Sequence, residues 1–177
     1  VFEGLKSLEY RGYDSWGVGV VPQNGRKKIV LKKRTGKIGN ANVDDLPSGN
    51  LSIGHTRWAT HGGVTRVNAH PHLDCSGSIA VIHNGIFENY EEEKRLLIKK
   101  GHKFLSQTDS EVLAHLMEDL SKKNSFAGAF RMAFNKMQGL NAVIAANAKE
   151  NMLVAARNGS PLVIGVGMGE NYIASDA

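Results

Sequence analysis

The sequence holds a single cysteine in 177 residues. No internal disulfide can form, which fits a reducing, cytoplasmic compartment. No apolar run approaches the roughly 20 residues of a membrane span. The opening residues, Val1-Phe2-Glu3-Gly4-Leu5-Lys6, lack the basic start and apolar stretch of a secretory signal. No G-x-S-x-G elbow occurs, which removes the usual Ser-His-Asp hydrolase signature. Internal repeats and long linkers are missing too. The one thiol, Cys75, lies in the polar, turn-like stretch Leu73-Asp74-Cys75-Ser76-Gly77 and reads as an incidental surface group.

What is present is an ordinary soluble composition, 41% apolar and 22% charged, with enough chain for one core. The net charge of +5 comes partly from Arg26-Lys27-Lys28 and Lys32-Lys33-Arg34. These flank Ile29-Val30-Leu31, and no aromatic residue interleaves with them. They read as solvated strand flanks and not as a nucleic-acid groove.

Phe2, Leu5 and Leu8 recur at helical spacing, with Gly12 just beyond. Gly17 to Val21 and Lys28 to Lys32 read as strands joined by the Pro22-Gln23-Asn24-Gly25 turn. Leu51 to Gly54 and Ser78 to His83 are short strand-type runs. Glu88 to Lys100 predicts a helix closed by Gly101. Thr108-Asp109-Ser110-Glu111 predicts a capping box ahead of a helix carrying Val112, Leu113, Leu116, Met117 and Leu120. Phe126, Phe130, Phe134 and Met137 predict another. The tail returns to strands at Ala142 to Ala146, Met152 to Ala156, Leu162 to Val166 and Tyr172 to Ala174. Hairpin-like strand pairs around a block of helices point to antiparallel sheets with segregated helices, an α+β protein.

Three pieces carry chemistry. The first, His55-Thr56-Arg57-Trp58-Ala59-Thr60-His61-Gly62, crowds polar side chains at a strand end, where they suit a binding site better than a core. The planar fork of Arg57 suits a carboxylate. The second, His83-Asn84-Gly85, offers an amide donor beside an unhindered backbone N–H, as an oxyanion hole needs. Taken alone, Asn-Gly is also the strongest hairpin-turn signal. The third holds Asp109, exposed at a helix start, which either meets an ammonium or simply complements the helix dipole. Together the pieces would hold a small zwitterion. A zinc site from His61, His70, His72 and His83 fits no standard ligand spacing, and no metal or other cofactor is expected.

Seven segments resemble one family in one order. They are Tyr10-Arg11-Gly12-Tyr13-Asp14-Ser15, His55 to Gly62, Asn68-Ala69-His70-Pro71-His72, His83-Asn84-Gly85, Thr108-Asp109-Ser110-Glu111, Ser160-Pro161-Leu162 and Ala174-Ser175-Asp176. The family is that of the glutaminase domains of glutamine–fructose-6-phosphate amidotransferases (glucosamine-6-phosphate synthases), which are class II glutamine amidotransferases. The resemblance spans nearly the whole chain and implies one glutaminase domain over residues 1–177. It implies a four-layer αββα sandwich of antiparallel sheets, of the N-terminal-nucleophile hydrolase type. The activity implied is release of ammonia from glutamine through a cysteine thioester. The ammonia would pass to a sugar isomerase domain that turns fructose 6-phosphate into glucosamine 6-phosphate, within a homodimeric parent enzyme. By motif position, Arg57 would hold the glutamine carboxylate and Asp109 its ammonium, with Trp58, Thr60 and His61 lining the pocket. Asn84 and Gly85 would form the oxyanion hole, Arg11 would help order the nucleophile, and His70 and His83 would be supports.

The sequence departs from the family at its start. The family opens with Cys-Gly-Ile-Val-Gly, the cysteine being the nucleophile, whereas this sequence opens at Val1 inside the following helix. The nucleophile and the first strand are therefore expected to belong to the molecule but not to these 177 residues, and Ala177 likewise follows directly on a family motif. If Val1 were the true terminus, a catalytically inactive glutamine-binding or regulatory domain would be expected. Trp16 stands where the family usually has a small residue, and is expected to narrow the space behind Arg11.

Overall fold

The structure, a computed structural model, describes residues 1–176. Helix α1 (Phe2–Ser7) carries the expected stripe but stops early, passing into a 3-10 turn at Glu9–Arg11. Strands β1 (Ser15–Val21), β2 (Val30–Thr35) and β3 (Leu51–Arg57) form an antiparallel sheet in the order β2-β1-β3. Strands β4 (His72–Leu73), β5 (Ile79–Gly85), β6 (Asn141–Asn147) and β7 (Met152–Arg157) form a second sheet in that order, also antiparallel. Helices α2 (Tyr90–Lys99), α3 (Ser110–Ser121) and α4 (Phe126–Lys136) separate β5 from β6. The hairpin of β8 (Val163–Val166) and β9 (Asn171–Ala174) follows.

Side-chain alternation along the strands sorts these elements into layers. Ile79 and Val81 of β5, with Val143 and Ala145 of β6, face α2–α4 in one cluster with Leu97, Leu113, Met117, Phe126 and Phe130. The intervening Ala80, Ile82, Ile144 and Ala146 point the other way, against Val21, Leu51 and Ile53 of the first sheet. Trp16, Val18 and Val20 cover that sheet's outer face with Leu5 of α1 and Ile38. Helix, sheet, sheet and helices are thus stacked in the expected αββα order. Trp16 is fully buried against Phe2, with ring centroids 5.4 Å apart, so it serves the core under α1.

The predicted strands are found; β2 lies two to three residues later than Lys28 to Lys32, at Val30–Thr35, and two others run further than their apolar residues indicate. β3 extends three residues past Gly54 to Arg57, and β5 continues through Asn84 and Gly85. The Asn-Gly pair is therefore a strand end and not a hairpin turn. Gly85 is paired with Asn141 and has φ of +132°, and a Cβ there would lie 2.3 Å from the Leu140 carbonyl oxygen. Only glycine suits that position.

Helix α2 closes as predicted. Gly101 (φ +92°) donates its N–H to the Ile98 carbonyl and His102 donates to that of Leu97, the pair of bonds of a Schellman motif. The capping box on α3 is not formed. Glu111 turns away from the Thr108 backbone and accepts bonds from the N–H groups of Leu105 and Ser106, at 2.8 and 2.6 Å, and from the Ser106 hydroxyl. A buried carboxylate gains more from three donors in the preceding loop than from one at the helix start.

Candidate active site

The ends of β3 and β5 and the start of α3 meet around one cavity of about 330 Å³. Its lining includes Arg11, Arg57, Trp58, Thr60, His61, Asn84, Gly85 and Asp109. Every residue to which the sequence motifs assign a role therefore borders the same space.

Arg57 is the last residue of β3, opposite Ser15 of β1, and only 3% exposed. Its guanidinium donates to the carbonyl oxygens of His61, Gly62 and Gly63 in the loop that follows, the last two at 3.3 Å. The loop is held from the other side as well. Asn68 donates to the Gly63 carbonyl at 2.9 Å and accepts from the Gln107 backbone at 3.0 Å. Asp14 accepts the Ala59 N–H at 2.7 Å. Burial lowers the Arg57 pKa, against the pull of Asp14 and Asp109, but an arginine stays charged. Trp58 is largely exposed at the cavity mouth, edge-on to Tyr13 at 5.5 Å.

Asn84 is oriented by a buried histidine. Burial pushes the His55 pKa down to about 4, so its ring is neutral near pH 7. His55 Nε2 lies 2.9 Å from Asn84 Oδ1. A carboxamide oxygen only accepts, so the single ring proton sits on Nε2. That bond commits Oδ1 and leaves the amide nitrogen as the group available to a ligand.

Asp109 is buried, at 3% exposure, and not exposed as its helix-start position predicts. Its side chain makes no cap bond to α3. One oxygen accepts the Phe87 N–H at 2.8 Å, and the other lies 4.0 Å from His61 Nδ1. His83 stands behind it, fully enclosed, between Ser110 Oγ at 2.9 Å and Asn141 Oδ1 at 2.8 Å. His72 is likewise committed, its Nε2 lying 3.0 Å from Thr108 Oγ1. Arg11 donates to the Ser175 carbonyl at 2.9 Å, tying the 3-10 turn to the chain's tail beside the cavity. Ala177 lies outside the described residues.

The arrangement offers a cationic fork, an enclosed carboxylate and an amide next to a glycine N–H. Residues 55–177 match the glutamine amidotransferase domain family. The chain belongs to that family. Glutamine–fructose-6-phosphate aminotransferases (isomerizing) of Pyrococcus horikoshii and Thermus thermophilus are each 50% identical to it over 99% of its length. The relative from Streptomyces coelicolor is 47% identical over the same share. The chain spans about 30% of the length of these curated relatives. Among solved structures, glutamine phosphoribosylpyrophosphate amidotransferase from B. subtilis, complexed with ADP and GMP, superposes with a TM-score of 0.76 at 28% identity. The match covers 96% of this chain and 37% of that one. The stacked sheets are those of an N-terminal-nucleophile hydrolase fold.

Several residues that shape this glutamine amidotransferase domain's cavity carry no role in the sequence reading. His55, Asn68 and Asp14 belong to recognised motifs, but their tasks depend on partners up to 45 residues away. Asn141 carries no sequence signal, and is found only because β5 and β6 pair in register.

Proposed function

We propose that the cavity binds glutamine and that its amide is hydrolysed there to ammonia, leaving glutamate. One observation carries this reading: Arg57, Asp109 and Asn84-Gly85 all line a single cavity. Its volume of about 330 Å³ sits at the small end of ligand pockets, roughly 300–1,000 Å³. Arg57 meets the α-carboxylate with the N–H groups its loop leaves free, and Asp109 meets the α-ammonium. A thiolate attacks the side-chain carbonyl carbon, and the oxygen that gains the charge is held by the Asn84 amide and the Gly85 N–H. Collapse, with the proton removed from the thiol passed to the amide nitrogen, expels ammonia and leaves a thioester, which water cleaves to glutamate and free thiol.

The thiol is not supplied by Cys75, which does not line the cavity. In the family that residues 10–176 resemble it is the first residue of the mature chain, with its own α-amine as base. The names of the relatives support a further step, transfer of the ammonia to fructose 6-phosphate; the reading adds that this happens in a sugar isomerase domain of a longer enzyme, homodimeric and cytoplasmic. Residues 1–177 would then be its glutaminase domain.

Glutamine-dependent appearance of glutamate and ammonia, one for one, from the full-length protein tests the reading. Glutamine bound but never hydrolysed would leave a binding domain of the same fold, and no interaction with glutamine would overturn both.

A further inference from the structure

Cys75, His102, His115 and Glu118 form a cluster remote from the glutamine cavity. Their ligand-type atoms all lie within 4.8 Å of one another. Cys75 sits in the β4–β5 turn, His102 follows the Schellman turn of α2, and His115 and Glu118 share a face of α3. None of the four lines the cavity described above.

The spacing of the four groups is close to that of a coordination shell. A tetrahedral zinc ion with Zn–S of about 2.3 Å and Zn–N or Zn–O of about 2.0–2.1 Å has neighbouring ligand atoms about 3.3–3.6 Å apart. Here Cys75 Sγ is 3.5 Å from His115 Nδ1 and 3.8 Å from His102 Nδ1. A Glu118 carboxylate oxygen is 3.4 Å from His115 Nδ1, and it accepts a hydrogen bond from His102 Nδ1 at 2.9 Å, a pair that would open by about 0.4 Å around an ion.

The outer groups point the same way. His115 Nε2 lies 3.7 Å from a Glu111 oxygen and His102 Nε2 lies 3.8 Å from an Asp119 oxygen. Both nitrogens are buried and make no direct hydrogen bond. A bound ion would take the place of the His102 Nδ1 proton that Glu118 accepts, and the carboxylate beyond each ring would then meet an Nε2 proton. The Lys103 N–H donates to Cys75 Sγ at 3.5 Å. One thiolate, one carboxylate and two neutral imidazoles cancel the charge of a divalent ion. Both histidines are buried and Cys75 is exposed, which gives the ion a way in.

We propose that Cys75, His102, His115 and Glu118 bind a structural Zn²⁺ ion, with the donor mix of a borderline-soft divalent cation. The ion would tie the β4–β5 turn and the end of α2 to α3, whose first turn follows Asp109. Cys75 would then be a ligand and not the incidental thiol its sequence context indicates.

The test is Co²⁺ and Zn²⁺ titration of the full-length protein beside Cys75→Ser, after removal of bound metal. The expected result is one ion per chain, a tetrahedral Co²⁺ spectrum with a sulfur-to-cobalt charge-transfer band, and a melting temperature that rises with Zn²⁺. Cys75→Ser should abolish that band and weaken binding at least about tenfold, since even outer-shell changes cost about 10–100-fold. His102→Ala should weaken binding while any other thiol in the protein is untouched. Absence of the tetrahedral spectrum, or a spectrum and melting response unchanged in Cys75→Ser, would overturn the proposal. Neither result depends on glutamine hydrolysis.

Discussion

Replacing Asn84 by Asp probes the oxyanion site with little change of shape. The structure assigns Oδ1 to His55 Nε2 at 2.9 Å. A carboxylate keeps that acceptor, so the bond survives and becomes charge-assisted. What disappears is the N–H donor on the cavity side, replaced by an oxygen that repels a developing oxyanion. Loss of one such donor costs about 10²–10³ in kcat, or about 2.7–4 kcal/mol of transition-state stabilisation. The added repulsion places the variant at or beyond the upper end. The ground-state amide of glutamine carries far less charge on its oxygen, so KM should change little. The assay is steady-state glutamate release by the full-length enzyme, with melting of both proteins to show that the fold is intact. The carboxylate should also raise the pKa of His55 from about 4, visible by NMR as protonation at a higher pH. A kcat within about threefold of the parent in a folded variant would refute the assignment of the Asn84 amide.

Other variants separate binding from folding. Arg57→Ala removes a charged partner worth about 1.5–3 kcal/mol, so glutamine KM should rise roughly 10–150-fold; an unchanged KM would sink the carboxylate assignment. Gly85→Ala introduces a Cβ 2.3 Å from the Leu140 carbonyl oxygen at a φ of +132°, and should lower the melting temperature measurably. Glu111 bears on acid stability. Burial alone would raise its pKa, but the nearby His115 ring and the bonds from Leu105 and Ser106 bring it down from 4.5 to about 2. A depressed carboxylate stabilises the fold above the unfolded pKa and loses that contribution as pH falls through the folded one. The stability gap between parent and Glu111→Gln, measured by urea melts, should therefore be full above pH 4.5 and shrink towards pH 2. A gap independent of pH would show that Glu111 acts only by packing.

Antiparallel sheets with segregated helices were legible in the sequence because the apolar runs of β5 and β6 and the helical stripes of α3 and α4 are strong and local, whereas the αββα layer order came from the family resemblance. Strand ends were harder. Arg57, Asn84 and Gly85 continue their strands with polar or small residues, so an apolar run signals a stop too soon and Asn-Gly imitates a turn. Thr108 to Glu111 has the spacing of a capping box, yet Glu111 follows the stronger donors of the preceding loop. Asp109 is polar and begins a helix, and nothing local indicates that Phe87 and His83 enclose it. The cluster around Cys75 was invisible for a related reason. Its members are spread over 44 positions, and only the docking of α3 on the second sheet gathers them.

The most direct test of the glutamine site is a crystal structure of the full-length protein with glutamate, the product, bound. The α-carboxylate should lie on the guanidinium of Arg57, the α-ammonium on Asp109, and the side-chain carboxylate against the Asn84 amide and Gly85 N–H. Glutamate bound elsewhere, or in this cavity with its ends reversed, would contradict the assignment of these residues.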